Sequence, residues 1–219
     1  MWSSEVTNMI ITGIWETLYM TLVSTFAGYV IGLPMGIVLT VSDKDGIHPN
    51  ALVYKILDVI ANIVRSIPFI ILLVLLIPFT RFVVGKSYGS TATIVPLVIA
   101  AAPYIARMVE SSLKEVDAGV IEAARSMGAS NFTIITKVML VEARTSLLVG
   151  ATITLGTILG YSAMSGAVGG GGLGAIAIRY GYTRWQTDIM IVTVVLLVIL
   201  FQIFQTIGMK LADRFDHRK

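Results

Sequence analysis

The chain has 219 residues, of which 56% are hydrophobic and 13% charged, and its mean hydropathy is +0.85. A typical soluble domain carries about 25% charged residues, so these values exclude an ordinary soluble protein and predict that lipid surrounds much of the chain. The net charge of +3 does not indicate a nucleic-acid partner, because no basic run occurs and membrane proteins keep Lys and Arg on the cytoplasmic side. Without cysteine, disulfides are excluded.

The N-terminal segment carries two glutamates, Glu5 and Glu16, but neither Lys nor Arg up to that point. It therefore lacks the basic region of a cleaved signal peptide, and we expect the first apolar segment to stay in the mature protein. That segment, 17–42, is free of charge and longer than the roughly 20 apolar residues that cross a bilayer as a helix.

Four further membrane spans are predicted along the chain, at 56–80, 87–107, 145–166 and 187–209. The second differs from the others because it contains Asp58 and Arg65. Charges at membrane depth usually face the interior of a helix bundle or a cavity, so this span should meet other protein or end near the interface. Alternatively, Arg65 simply extends to the lipid headgroups.

Helix breakers and small residues indicate a bundle around a pathway rather than a simple anchor. Prolines 34, 68, 96 and 103 fall inside predicted spans, where each removes a backbone hydrogen bond and kinks the helix. Glycines recur every four residues at 28, 32 and 36, and again at 156 and 160. Small residues at this spacing allow helix backbones to approach closely, although the pattern names no partner helix.

Five spans place the termini on opposite sides of the membrane. With the N-terminus outside, most basic residues fall on inner segments: Lys44, Lys55, Arg107, Lys114, Arg125, Lys137, Arg144, Lys210, Arg214, Arg218 and Lys219. The outer segments then hold only Arg81, Lys86, Arg179 and Arg184. The positive-inside rule therefore predicts an N-out, C-in topology. Because the chain shows no internal repeat, we expect two copies to build a pathway about a two-fold axis.

The longest polar stretch, 108–144, falls on the inner side and predicts two short helices. Asp117 is a plausible N-cap of the first, Gly128 stands at its C′ position, and Ser130 can cap the second. The first helix has small side chains, so it could insert into a groove on another protein; the alternative is a solvated linker. Glu122 and Arg125 share a face and could pair with each other or with a partner.

The run from Glu122 to Ser130, EAARSMGAS, resembles the EAA loop of ABC importer permeases. The resemblance weakens at its tail, where Val141-Glu142-Ala143 replaces the usual Leu-Pro. It implies cytoplasmic coupling helices that dock in a cleft of an ABC ATPase dimer, whose closure switches the pathway. The residues that it assigns to this coupling are Glu122, Ala123, Ala124, Arg125, Met127, Gly128 and Ala129.

A narrower resemblance, to the permeases of methionine importers, covers nearly the whole chain and is carried by Ser165–Gly174, by 178–182 and by Ser66–Leu72. It implies an all-α, polytopic membrane protein with one transmembrane domain over 1–219. It also implies a bacterial cytoplasmic-membrane complex of two permeases, two ATPases and an extracytoplasmic substrate-binding lipoprotein. The substrates implied are D- and L-methionine and their derivatives; another amino acid or small nutrient is the alternative.

The glycine tract predicts an irregular but close-packed loop on the outer side, since each glycine costs about 1 kcal/mol in a helix relative to alanine. It could contact the binding protein or cap the pathway, and a flexible surface turn is the alternative; its glycines are Gly169, Gly170, Gly171, Gly172 and Gly174. Before it, Tyr161, Ser162 and Met164 are candidates for the substrate pathway or gate. Ordinary helix packing is an equally open interpretation of these three residues.

No catalytic, metal or cofactor residues are predicted, and ATP should bind a separate subunit. A P-loop needs a glycine five residues before its Gly-Lys-Ser/Thr; Thr80 stands at that place before Gly85-Lys86-Ser87. An ion-driven carrier would need intramembrane carboxylates, and Asp58 is the one candidate inside a predicted span. An intramembrane enzyme is disfavoured because His48 and His217 lie far from any paired nucleophile.

Overall fold

The computed structural model describes residues 4–215, which form helices and connections without a strand. Predictions that involve residues 1–3, His217, Arg218 and Lys219 lie outside the described residues. The helices are α1 Ser4–Ser42, α2 Ala51–Ser66, α3 Phe69–Leu75, α4 Ile77–Val84, α5 Ser90–Lys114, α6 Ala118–Ser126, α7 Asn131–Thr133, α8 Leu140–Glu142, α9 Arg144–Ser165, α10 Gly172–Ile176 and α11 Thr187–Arg214. Two π-helical segments, Ile134–Met139 and Ala177–Tyr182, and one 3₁₀ turn, Gly166–Val168, connect some of them.

Within the described residues, four helices are long and apolar enough to cross a membrane: α1, α5, α9 with its continuation to Tyr182, and α11. The bent pair α2 and α3 makes a fifth if it is counted as one span. The prediction of an all-α polytopic protein is therefore confirmed. The helices extend beyond the predicted spans, since α1 begins at Ser4 rather than at residue 17.

Among the described residues, α1 and α5 have the most extensive contact of any two helices, and the glycine spacing explains how. A Cβ atom at Gly32 or Gly36 would lie 2.6 Å from a carbonyl oxygen of α5, and one at Gly28 would lie 2.8 Å from the Cβ of Ala101. The predicted close approach is confirmed. The second glycine pair behaves differently, because Gly156 meets the Phe201 ring while Gly160 has open space around it.

The predicted span over 56–80 is not a straight helix. The chain bends by 101° between α2 and α3. Ile67 adopts an extended conformation with φ −83° and ψ 123°, as expected for a residue before proline, and Pro68 begins the next helix. By contrast, α1 and α5 continue as helices through their three prolines.

The predicted loop 108–144 also needs correction, because its first part is helix. The hydropathy signal falls at Arg107, but α5 continues for two more turns to Lys114. Its charged side chains there are paired with one another and with neighbouring elements, so the charges do not end the helix. The two short helices predicted after it are present.

Candidate functional site

Helix α6 begins and ends as its sequence predicts. The Asp117 side chain accepts a hydrogen bond from the backbone N–H of Gly119 at 2.7 Å. Gly128 follows the last turn with φ +80°, the left-handed conformation that closes a helix, and its N–H donates to the Arg125 carbonyl at 2.9 Å. Both capping predictions are confirmed, so the local sequence determines the length of this nine-residue helix.

The second short helix starts at Ser130, whose hydroxyl accepts from the backbone N–H of Thr133 at 3.2 Å. This cap is confirmed as well. The helix then widens into the π-helical segment, which the sequence did not predict, before α8. Ile134 and Met139 of that segment are buried in the main core and anchor the region to the spans.

One face of α6 is anchored while the other is open. Ala124 is buried, whereas Glu122 and Ala123 are exposed and Met127 is 82% exposed. The Arg125 guanidinium donates to the backbone carbonyl of Ile47 at 2.9 Å, so it bonds the α1–α2 connection instead of Glu122. Ala124 and Arg125 therefore attach α6 to the bundle, while its face of small side chains remains exposed.

A cavity of about 510 Å³ lies between α6 and the α1–α2 connection. Both acidic and basic side chains line it, namely Asp43, Asp45, Lys114, Glu122 and Arg125. Lys114 forms an ion pair with Asp43 at 2.7 Å, and that hydrogen bond lowers the pKa of the Asp43 carboxyl. The Arg125 hydrogen bond to Ile47 joins the two sides of this cavity.

Ion pairs join α1, α2 and α5 next to this cavity. Glu110 is 5% exposed and accepts from Arg107 at 2.7 Å and from Lys114 at 2.8 Å, while Arg107 also pairs with Asp58. Asn62 accepts a further hydrogen bond from Arg107 at 3.0 Å. We call this set, with Asp43 and Tyr54, the Arg107 cluster.

Sequence reasoning missed Glu110. The third span was ended at Arg107, so the carboxylate one turn further along the helix was assigned to a loop. The spacing of Arg107, Glu110 and Lys114, which places all three on one helical face, was the signal that could have identified it. Asp58 was expected to face other protein or to end near the interface, and it meets Arg107 of α5.

At the other end of α5, the glycine tract packs against Glu16 and Thr17 of α1 and against the first turn of α5. The Glu16 carboxylate accepts from the Gly172 N–H at 2.6 Å, and the Thr17 hydroxyl accepts from the Leu173 N–H at 2.9 Å. The Gly89 N–H donates to the Gly169 carbonyl at 2.8 Å. The tract is close-packed as predicted, but it is not wholly irregular: helix α10 starts at Gly172, where α1 supplies its cap.

The three predicted pathway residues have three different environments. The Tyr161 ring stacks on Phe69 of α3 at a centroid distance of 4.4 Å and lines a small cavity. Ser162 is buried and donates to the Leu159 carbonyl of its own helix at 2.8 Å, while Met164 is 53% exposed. The structure therefore does not bring the three side chains together within one chain.

Within residues 4–215, no three His, Asp or Glu side chains are grouped as a metal ion would require. His48 lies in the α1–α2 connection.

Comparison with known proteins agrees with this architecture. Residues 28–219 match the family described as binding-protein-dependent transport system inner membrane component. The probable D-methionine transport system permease protein of Vibrio cholerae is 48% identical over 99% of this chain and 96% of its own length. The D-methionine transport system permease protein of Escherichia coli K12 is 56% identical over 72% of this chain and 73% of its own length.

Solved structures show the same fold. A chain from inward-facing conformations of the MetNI methionine ABC transporter superposes with a TM-score of 0.97 at 50% identity, covering 99% of this chain and 100% of that one. A chain of an amino acid ABC transporter, determined with histidines, has a TM-score of 0.79 at 22% identity over 96% of this chain and 95% of that one. The second likeness shows the fold alone.

Proposed function

The chain belongs to the family of binding-protein-dependent transport system inner membrane components, and on that premise we propose that it is the permease of an ATP-driven methionine importer. Relatives that are 48% and 56% identical carry the name D-methionine transport system permease. The substrates proposed are D- and L-methionine and related derivatives. The nearest alternative is another amino acid, because the binding protein that selects the substrate is a separate chain.

The exposed face of α6 is the observation that best supports this function. A short capped helix with alanine and a protruding Met127 fits a cleft on an ATPase subunit, and its other side is tied to the bundle through Ala124 and Arg125. When ATP closes the ATPase dimer, α6 is displaced. The Arg125 bond transmits that displacement to the α1–α2 connection, and the Arg107 cluster transmits it to α2 and α5.

ATP binding and hydrolysis belong to the partner in this proposal. The permease sequence lacks a P-loop, whose glycines and lysine would hold the phosphates, so this chain binds no cofactor of its own. Two permease copies and two ATPase subunits form the core complex. The N-terminus lies outside, the glycine-tract end of α5 faces the extracytoplasmic binding lipoprotein, and α6 faces the cytoplasm.

The coupling role is tested by Ala123→Trp in the complete complex, reconstituted in lipid vesicles with ATPase and binding protein. Ala123 is exposed, so a large side chain leaves the fold intact but blocks insertion into a cleft. We expect loss of ATPase co-purification and at least about a tenfold fall in methionine uptake, since burying an indole against a docked surface costs more than the 1.4 kcal/mol of a tenfold change. Ala51→Trp, at an exposed alanine that starts α2, is the control.

Normal ATPase binding and uptake by Ala123→Trp would contradict the coupling assignment. Methionine uptake by the permease without its ATPase would instead favour an ion-driven carrier. If the wild-type complex imports another amino acid but not methionine, the chain is still the permease of an importer, and the proposed substrate is wrong.

A further inference from the structure

A small cavity lies at the bend between α2 and α3, away from the α6 face. Its volume is about 180 Å³, and α2, α3, α5 and α9 all contribute to its wall. One cation, two phenols and apolar groups line it: Arg65, Phe69, Leu72, Ala100, Tyr104 and Tyr161. Cavities for drug-sized ligands measure about 300–1,000 Å³, so this one suits a smaller molecule.

The direction of Arg65 follows from its helix. Asp58, Asn62 and Arg65 are spaced by four and three residues and share one face of α2. The first two bond Arg107 on α5, so this face is turned toward α5. Tyr104 lies one turn before Arg107 on α5. Arg65 and Tyr104 both line the cavity. Arg65 thus continues a polar stripe from the Arg107 cluster to the bend.

The two arginines of this stripe differ in their partners. Arg107 is neutralised by Asp58 and Glu110. The Arg65 guanidinium makes neither an ion pair nor a hydrogen bond to any residue from 4 to 215. Arg65 is exposed in the last turn of α2, so its guanidinium is accessible to an anionic group that enters the cavity.

We propose that this Arg65 cavity receives the α-carboxylate of the amino acid during translocation, an inference that rests on the function proposed above. A guanidinium presents parallel N–H donors that match a carboxylate. The stacked rings of Phe69 and Tyr161, with Leu72, offer apolar contact to the substrate side chain. One ionic contact beside apolar walls binds weakly enough for onward release, which a transport pathway requires.

The test uses the reconstituted complex of permease, ATPase and binding protein. Arg65→Gln is expected to lower the maximal rate of methionine uptake by about ten- to a hundredfold, the range expected when a charge-assisted hydrogen bond is lost. ATP hydrolysis stimulated by the loaded binding protein should persist, so that fewer substrate molecules cross per ATP. Arg65→Lys should recover part of the uptake. Arg81→Gln removes the same charge from exposed α4, outside the cavity, and should behave as wild type.

A chemical rescue separates charge from packing, because the chain has no native cysteine. The assembled complex carrying Arg65→Cys is treated with 2-aminoethyl methanethiosulfonate, which adds a cation, or with the neutral ethyl reagent of similar size. Wild-type complex treated in the same way controls for cysteines of the partners. The cationic adduct should restore uptake and the neutral one should not; equal uptake with both adducts would overturn the proposal.

The two proposals fail in distinguishable ways. If wild type imports methionine and Arg65→Gln does so equally well, the carboxylate site is wrong and the importer function stands. If wild type imports a different amino acid, the methionine assignment is wrong, and the same variants are compared with that amino acid. Loss of uptake together with all stimulated ATP hydrolysis in Arg65→Gln, without rescue by the cationic adduct, would assign Arg65 a structural role.

Discussion

The two ends of α5 are held by different kinds of contact. At its Lys114 end, long charged side chains join it to α2 and to the α1–α2 connection, with Glu110 shared between two cations. At its Ser90 end, backbone groups meet directly, as in the bond from Gly89 to Gly169, and a Cβ at Gly171 would lie 3.0 Å from the Cβ of Ser90. Side-chain ion pairs tolerate shifts that backbone contacts do not, so on this comparison we expect the first end to be the mobile one and the second to be the fixed one.

The largest effect should come from crowding the fixed end. A Cβ at Gly174 would overlap the backbone of Ala163, which cannot rotate away. We expect Gly174→Ala to destabilise the permease by about 3 kcal/mol and to lower the melting temperature of the purified complex by several degrees. Gly160→Ala is the matched control, because open space surrounds Gly160. Equal melting temperatures for the two variants would show that the tract is not close-packed.

Removing the central charge of the mobile end should have a somewhat smaller effect. Glu110→Gln leaves Arg107 with Asp58 and Lys114 with Asp43, so we expect a loss of about 2 kcal/mol rather than the roughly 3–5 kcal/mol of an isolated buried pair. Uptake should fall because Arg107 and Lys114 lose the carboxylate that orients them toward Asp58 and Asp43. Asp45→Asn is the control, since its pair with Lys44 leaves both side chains more than 80% exposed. An unchanged melting temperature and uptake rate in Glu110→Gln would show that Glu110 of the Arg107 cluster neither stabilises the permease nor contributes to transport.

The smallest effect should follow from removing one cap at the fixed end. Thr17→Val leaves the buried Leu173 N–H without its acceptor, at a cost of about 1 kcal/mol. Thr157→Val makes the same change at a half-buried threonine that bonds only its own helix, and it should be neutral. Thermal unfolding of both variants measures the difference. A neutral Thr17→Val would indicate that water replaces the hydroxyl at this end.

The contrast also explains what the sequence could predict. The caps of α6 depend on residues two or three positions apart, so Asp117 and Gly128 could be identified without a structure. The glycine spacing of α1 predicted close packing but not its partner, because the partner helix is about 70 residues away. The Arg107–Asp58 pair escaped prediction for the same reason.

Two errors have local physical causes. A hydropathy window ends at a charge, and it cannot register that Arg107, Glu110 and Lys114 neutralise one another within a continuing helix. Each of the four prolines in the predicted spans is expected to kink its helix, but among these four only Pro68 follows a residue in an extended conformation. At the other prolines, the surrounding helix packing keeps α1 and α5 continuous.

The length of α5 determines how far its Lys114 end moves when the helix tilts. Its 25 residues span about 37 Å at about 1.5 Å per residue. If the helix pivots where Gly89 meets Gly169, a tilt of about 5° moves Lys114 sideways by about 3 Å. Arg107, Glu110 and Lys114 move together with α5, so the pairs that must accommodate this travel are Arg107 with Asp58 and Lys114 with Asp43. The travel is within the reach of a lysine or arginine side chain, so both pairs can persist through the cycle. The helix then tilts as a rigid body, and the side chains of the ion pairs at its Lys114 end adjust to the movement.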